Sequence, residues 1–549
     1  MNLNNEQTQA IEKISRFLES SNKLFLLTGS AGTGKSTIIS QLFMSNNSDK
    51  KIVISATTNK AVSVLKEMFN KYNNNKQNID FSTIQKICNI KLHINDDGEQ
   101  YFKFTDDNKN YGKSIYDYNI IIIDESSMIN LKLINYLNSI KRKLKGKIIY
   151  VGDKNQLPPV NESNSLVFNY NNFDECCTLK KVMRFDSNIL KFSIRVIDSI
   201  ISNKKISIKN IEDESFTIYK KSDIWLKDYL KCFSYTNIFL AYTNNRCNEI
   251  NNYIRKHYFK IPNIPEFVND ELIVFNNFHK NDDKKFYTST SAKIISCSTH
   301  THVIPDFPLP SFFNLTASIE SYQSVINMEK KDKSELNENN DVCPICYDEM
   351  KDVENISETD CKHVFCDNCI NMWLKQHNTC PFCRMVIIEN KLVINENDIL
   401  SNKLNHIMTL INSNKIKVWK LKIKSNLEVV EGEILVIRKE YKSDFELHKE
   451  LIKKAVIDLK QYIYDTMSEQ DNRFILTRIW EYYYLNYVNM FADISYGYCI
   501  TVHKSQGSTF DNVYIDSRNI LEYNKIDKIN YKCLYTGITR ASKKISMLI

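Results

Sequence analysis

The sequence has no apolar run approaching the ~18 residues of a membrane-spanning helix, and a quarter of it is charged. A soluble protein without a membrane span or signal peptide is expected, acting inside the cell, in cytoplasm or nucleus. A strong excess of one charge is also missing: 73 basic against 65 acidic residues leave +8 over 549 residues, which permits a nucleic-acid partner without requiring one. Cysteines spread as a disulfide framework are absent too. Of fifteen, seven cluster between Cys343 and Cys383 and the rest are scattered, with only Cys176 and Cys177 adjacent, which fits zinc in a reducing compartment. The length allows about three or four domains, since single cores rarely exceed ~250 to 300 residues.

What is present is organised around Leu24 to Thr37. A short apolar run leads into Gly29-Ser30-Ala31-Gly32-Thr33-Gly34-Lys35-Ser36-Thr37, and Ile38, Ile39, Leu42 and Phe43 then recur at helical spacing. This reads as strand, phosphate loop and helix. The glycines let backbone N–H groups turn toward phosphate oxygens at a helix N-terminus, Lys35 would reach the β- and γ-phosphates of ATP, and Ser36 would ligate Mg²⁺.

Further along, Ile120 to Ile123 reads as a buried parallel strand delivering Asp124 and Glu125 to the carboxyl edge of the sheet. Asp124 is expected to hold Mg²⁺, and Glu125 to orient and deprotonate the attacking water. Ile148 to Val151 repeats the device and ends in a turn carrying Gln156, placed to sense the γ-phosphate. Upstream, Gln7 on an amphipathic helix either reads an adenine edge or merely begins the helix. Polar strand tips at Ser55 to Ala61 and Ser82 to Gln85 are candidates for gripping a nucleic-acid backbone, with helix capping as the plainer reading. Ile90 to His93 and Tyr101 to Phe104 bracket a glycine-containing turn, predicting a hairpin that is either a strand-separating pin or a surface decoration. Trp480 to Tyr487 places aromatics all round a helix, which favours core packing over base stacking.

The second constellation is Cys343, Cys346, Cys361, His363, Cys366, Cys369, Cys380 and Cys383. Eight soft ligands in four pairs are what two closed tetrahedral Zn²⁺ sites require.

The glutamine before the strand, GSAGTGKST, DESSM and GDKNQLPPV, in this order, resemble the motifs of a superfamily 1 helicase. Tyr498 to Thr509, with its HKSQG, and Tyr535 to Ala541 resemble the last two motifs in the form of the RecD/Dda-like 1B branch. The resemblance implies two RecA-like parallel-sheet α/β lobes closing on ATP, with Arg184 and Arg540 presented to the γ-phosphate from the second lobe. It also implies coupling of nucleotide state to single-stranded DNA through Thr501, His503 and Gln506, a 5′ to 3′ direction, and an inserted SH3-like β barrel. Asn244 resembles the family's second-lobe segment; Phe185 and Gln85 depart from the pattern, which often has Gln and His there.

The cysteine order resembles a C3HC4 RING finger. That implies one zinc on Cys343, Cys346, Cys366 and Cys369, a second on Cys361, His363, Cys380 and Cys383, and a docking surface for a ubiquitin-conjugating enzyme on Ile345, Trp373, Pro381 and Arg384. The expected layout is a first lobe over 1–180 with a hairpin insertion at about 88–112, then second-lobe residues 181–262. The accessory domain follows over 263–340 and 389–480 around a RING at 341–388, and the second lobe closes with 481–549. The expected activity is ATP-dependent 5′ to 3′ unwinding at single strands and duplex junctions, with ubiquitin ligation. The alternative is a DNA-stimulated ATPase whose RING is only a zinc-stabilised scaffold; a small-molecule P-loop kinase is disfavoured by HKSQG and the paired arginines. Joining a phage-like helicase to a eukaryote-type RING points to a large DNA virus or another microbe dealing with a ubiquitin-using cell, with a viral replication site as one location.

Overall fold

The structure is a computed structural model. It describes residues 3–44, 50–70, 78–104, 114–183, 188–202, 204–206, 212–260, 265–281, 284–303, 329–330, 343–346, 356–358, 363–374, 381, 415–425, 430–466, 469–521 and 528–549. Arg184, Phe185, Cys361, Cys380, Cys383 and Arg384 lie outside the described residues.

The first lobe is built from β1 (Leu24–Gly29), β2 (Ile52–Ala56), β3 (Ile79–Thr83), a hairpin of β4 (Ile90–Ile94) and β5 (Gln100–Phe104), then β6 (Ile120–Ile123), β7 (Lys147–Gly152) and β8 (Glu175–Leu179). Six of these form a parallel sheet in the order β3-β2-β6-β7-β1-β8. Continuous apolar strands follow from burial on both faces. Phe25, Leu27, Ile120 and Ile122 enter one core with the helices Asn5–Glu19, Lys35–Met44 and Asn59–Asn70. Leu24, Leu26, Ile121 and Ile123 point the opposite way, into a core with Leu133 and Leu137.

The second lobe repeats the plan. After β9 (Phe216–Tyr219) and β10 (Asn237–Ala241), the chain makes an excursion through β11 (Leu272–Phe275), β12 (His279–Asn281), β13 (Lys284–Phe286), β14 (Ser291–Val303), β15 (Glu329–Lys330), β16 (Ile356–Glu358), β17 (Val364–Cys366), β18 (Lys415–Ser425), β19 (Glu431–Ile437) and β20 (Ile494–Tyr496). It then returns with β21 (Cys499–Thr501), β22 (Phe510–Asp516) and β23 (Ala541–Leu548), closing a parallel sheet in the order β21-β10-β22-β23-β9.

Within the excursion, β19-β18-β14-β11-β20 form an antiparallel sheet. Where an SH3-like barrel is expected, the sheet is open among the described residues, and the chain just before β20 touches β19 through one main-chain bond, from Ala492 N–H to the Leu435 carbonyl (2.8 Å). β14 and β18 run on as a ribbon in which Val303 pairs with Lys415, so the segment carrying the RING leaves and re-enters at adjacent points. The helices Lys439–Thr466 and Glu469–Tyr483 pack beside this sheet. The accessory domain extends further than 389–480, because β20 pairs with β11; the second lobe resumes only at β21.

The expected hairpin forms at 90–104, with Ile90 opposite Phe104 and Ile94 opposite Gln100, and its tip docks on the accessory helices. Trp480 Nε1 donates to the Asp96 carbonyl (3.2 Å), Tyr484 Oη to the Gly98 carbonyl (2.6 Å), and Lys460 pairs with Asp97 (2.7 Å). Trp480, Tyr483 and Tyr487 are buried in that core, as packing rather than as an open stacking platform. Among the described residues no helix is long and apolar enough to cross a membrane.

Candidate functional site

β1 ends at Gly29, and the loop to the helix Lys35–Met44 turns on Gly32 and Gly34, whose φ angles of 81° and 85° favour residues without a Cβ. Lys35 Nζ donates to the carbonyls of Gly29 (2.7 Å) and Ser30 (3.0 Å), holding the cation over the loop. Thr33 is buried, with its hydroxyl on the Ser30 carbonyl (2.9 Å), and Thr37 lies in the first helical turn. Gln7 belongs to a capping box: its Oε1 accepts from Asn4 N–H (3.0 Å) while Nε2 donates to the Thr33 carbonyl (3.1 Å). Both ends of the amide are thus engaged, and Gln7 supports the phosphate loop directly.

Asp124 faces this loop from the end of β6, and the Ser36 hydroxyl donates to its Oδ2 (3.4 Å). Burial first, then the neighbouring Glu125, push the Asp124 carboxyl up, against the pull of Lys35 and Ser36. A carboxylate and a hydroxyl converging there fit a hard divalent cation, so Ser36 and Asp124 would hold Mg²⁺. Glu125 leaves the strand in a left-handed conformation (φ 48°), an uncommon geometry for a residue with a Cβ.

The second lobe meets this loop directly, where Ala31 N–H donates to Tyr535 Oη (3.1 Å). Arg540 is 5% exposed, and its guanidinium donates to the Thr536 carbonyl (3.1 Å), the Ser508 carbonyl (3.4 Å) and the Thr539 hydroxyl (3.0 Å). All are neutral oxygens of its own lobe, so no carboxylate among these partners neutralises its charge. Gln156 is buried with Oε1 lacking a partner among the described residues, and Gln506 Nε2 reaches the Leu157 carbonyl (3.5 Å). Met183, next to Arg184, is tied by its N–H to the Gly32 carbonyl (2.8 Å).

A cleft of about 240 Å³ opens where both lobes meet the accessory domain. The expected polar tip Thr57-Thr58-Asn59-Lys60 lines it from the first lobe and His503, Lys504 and Gln506 from the second. Phe278, Tyr287 and Ser289, which flank the β12–β13 hairpin of the accessory domain, line it as well; no motif marks them in the sequence. Lys60 Nζ donates to the Ser289 carbonyl (2.8 Å), and burial, then Arg540, lower its pKa to about 8. Lys504 Nζ reaches Asn276 Oδ1 (2.6 Å), and burial lowers the His503 pKa. Thr501 is buried beside this cleft, its hydroxyl accepting from Lys504 N–H (3.4 Å); Gln85 Nε2 binds the Thr57 carbonyl (3.2 Å), and Asn244 opens a helix capped by Thr243.

In the RING segment, the ligand atoms of Cys343, Cys346, Cys366 and Cys369 all lie within 4.8 Å of one another. The first and third cysteine pairs come together, the interleaved arrangement, and four thiols so gathered fit a tetrahedral Zn²⁺. Of the other set only His363 is among the described residues. Ile345 and Trp373 pack against the small core of Ile356, Phe365 and Ile370, and Pro381 is half-buried.

Three family profiles match: an AAA domain over residues 2–205, a ring finger domain over 341–384 and a UvrD-like helicase C-terminal domain over 496–548. An uncharacterized protein of Acanthamoeba polyphaga mimivirus is 27% identical over 580 residues, spanning 100% of this chain and 99% of that protein. The RecBCD enzyme subunit RecD of Buchnera aphidicola subsp. Schizaphis graminum is 29% identical over 335 residues, 57% of this chain and 52% of that protein, so the chain spans about half of that relative's length. An E3 ubiquitin-protein ligase RING1-like of Arabidopsis thaliana is 44% identical over 52 residues, 10% of this chain and 15% of that protein. Together with the phosphate loop, the paired parallel sheets and the interleaved cysteines, these matches agree: the chain carries an AAA domain, a UvrD-like helicase C-terminal domain and an inserted ring finger domain, in line with its resemblance to the RecD/Dda-like helicases.

Proposed function

We propose that this chain is an ATP-dependent 5′ to 3′ DNA helicase that steps along single-stranded DNA toward duplex junctions. The observation that supports the reading is a phosphate loop with Lys35 over it and Ser36 bonded to Asp124, met by the second lobe where Ala31 N–H donates to Tyr535 Oη (3.1 Å), five residues before an Arg540 hydrogen-bonded to the neutral oxygens of Thr536, Ser508 and Thr539. Lys35 binds the β- and γ-phosphates, Ser36 and Asp124 hold Mg²⁺, Glu125 orients and deprotonates the attacking water, Gln156 senses the γ-phosphate, and Arg184 and Arg540 offset the charge that develops there. When bound, Mg²⁺ supplies charge neutralisation on the phosphates. The junction lined by Thr57 to Lys60, Phe278, Tyr287, His503 and Lys504 offers hydroxyls, cations and aromatic faces to a single strand.

The RING is proposed as a ubiquitin ligase module holding two Zn²⁺, docking a conjugating enzyme through Ile345, Trp373, Pro381 and Arg384. The ligase name borne by the RING relative supports this reading. A source in a large DNA virus fits the mimivirus relative that matches along the whole chain. Strand-displacement and ubiquitin-discharge assays on one preparation test both activities: unwinding without discharge leaves the RING a zinc scaffold, and ATP hydrolysis without unwinding leaves the lobes a DNA-stimulated clamp.

A further inference from the structure

We infer that Tyr535 is a positioning residue that fastens the Gln156 turn to the phosphate loop and to the second lobe, so that the cleft senses and closes as one unit. The inference rests on the helicase reading and deepens it.

Tyr535 lies on the helix Lys528–Ile538 and is 1% exposed. Its hydroxyl donates to Asp153 Oδ2 (2.8 Å) and accepts from Ala31 N–H (3.1 Å), two bonds that a phenol can make at once because it carries one hydrogen and free lone pairs. One atom of the second lobe therefore joins two loops of the first. Asp153 is buried as well, and its other oxygen accepts from Asn155 N–H (3.0 Å), while its carbonyl accepts from Gln156 N–H (3.2 Å). The adjacent residue Thr536 completes the grip, its hydroxyl accepting from Leu157 N–H (3.1 Å). Both ends of the turn 153–157 are thus held by neighbouring side chains of one helix.

Two further features tie this grip to the nucleotide. Between the anchors, Gln156 Oε1 is a buried acceptor without a partner among the described residues, an arrangement that costs free energy until a donor arrives. Beyond the helix, Arg540 Nε bonds the carbonyl of the same Thr536 (3.1 Å), so displacement of Arg540 is transmitted through one residue to the turn bearing Gln156. Loss of the Tyr535 hydroxyl leaves the ring packed but deprives a buried carboxylate and a loop N–H of their shared partner.

The test is Tyr535→Phe in the full chain, compared with wild type in ATPase assays with and without single-stranded DNA. The DNA-stimulated kcat should fall about tenfold, the size of one lost hydrogen bond to a charged group, while the KM for ATP stays within about twofold. Asp153→Asn combined with Tyr535→Phe should lose no more than the larger single change, because Asp153→Asn alters the bond that Tyr535→Phe already removes, while the amide oxygen can still accept from Asn155 N–H. Should Tyr535→Phe not fold, Thr536→Val, which removes the second anchor, should give the same split between kcat and KM. Undiminished DNA-stimulated kcat in whichever variant folds, or additive losses in the double variant, overturns the inference alone. A wild-type ATPase that DNA does not stimulate removes the helicase reading and this inference with it.

Discussion

Trp480 donates its indole N–H to the carbonyl of Asp96 at 3.2 Å, so a hairpin of the first lobe is bolted to a helix of the accessory domain. The fit depends on Gly98, whose φ of 77° is left-handed and whose added Cβ would lie 2.6 Å from the Trp480 ring. Gly98→Ala should therefore destabilise the docked hairpin by about 2 kcal/mol, as overpacking does. A lowered melting transition with unchanged ATPase per folded molecule is the expected pair of readings; an unchanged transition means the ring yields freely.

In the proposed helicase Lys35 and Arg540 would address the same phosphates from opposite lobes, yet their losses should differ. Lys35→Ala should abolish hydrolysis while single-strand binding remains measurable. Arg540→Ala should lower kcat by about 10³-fold with ATP affinity largely retained, because a finger arginine acts chiefly on the transition state. Steady-state kinetics with nucleotide-binding titrations distinguish the two, and an Arg540→Ala enzyme with near-normal kcat would remove the finger assignment.

Legibility in the sequence followed locality. Gly29 to Thr37, Ile120 to Glu125 and the hairpin at 90–104 were readable because short-range spacing sets their geometry. Residues whose partners are remote were not: nothing in sequence links Tyr535 to Asp153, or Ser289 to Lys60, since those bonds exist only once the first lobe meets the second lobe and the accessory domain. Gln7 illustrates a middle case, its helix-start position being visible but not its hold on Thr33. The accessory boundary was misplaced at 480 because the helix Glu469–Tyr483 runs straight into more tyrosines, and only the pairing of β20 with β11 assigns that stretch.

The Lys60 cation should make single-strand binding pH-dependent. Held at about 8 by burial and Arg540, it is charged at pH 7 and neutral at pH 9, while the lowered His503 is neutral throughout that interval. Affinity for single-stranded DNA should fall between these pH values, with a salt slope smaller by roughly one phosphate contact. Lys60→Met should abolish that step. For stability the sign is opposite: the unfolded lysine, titrating near about 10.4, binds a proton where the folded one does not, so stability rises as pH climbs from about 8 toward that value. A pH-independent slope in wild type would contradict the assignment.

The RING leaves and re-enters the ribbon where Val303 pairs with Lys415, so its damage should remain local. Removing zinc with a zinc-selective chelator in excess Mg²⁺ should unfold the RING, since metal binding supplies much of its folding free energy, while ATPase and unwinding stay within about twofold. Ile345→Ala or Arg384→Ala should abolish ubiquitin discharge from a charged conjugating enzyme with zinc retained. Discharge unaffected by either change would leave the zinc-scaffold reading.

Directed unwinding is the central claim, and duplexes tailed on one side or the other test it most directly. With ATP and Mg²⁺ at a fixed salt concentration, the wild-type chain should displace the strand from a duplex bearing a 5′ single-stranded tail, fail on a blunt duplex, and lose the activity in Lys35→Ala. Displacement from a 3′ tail only, or equal displacement by wild type and Lys35→Ala, would contradict the account.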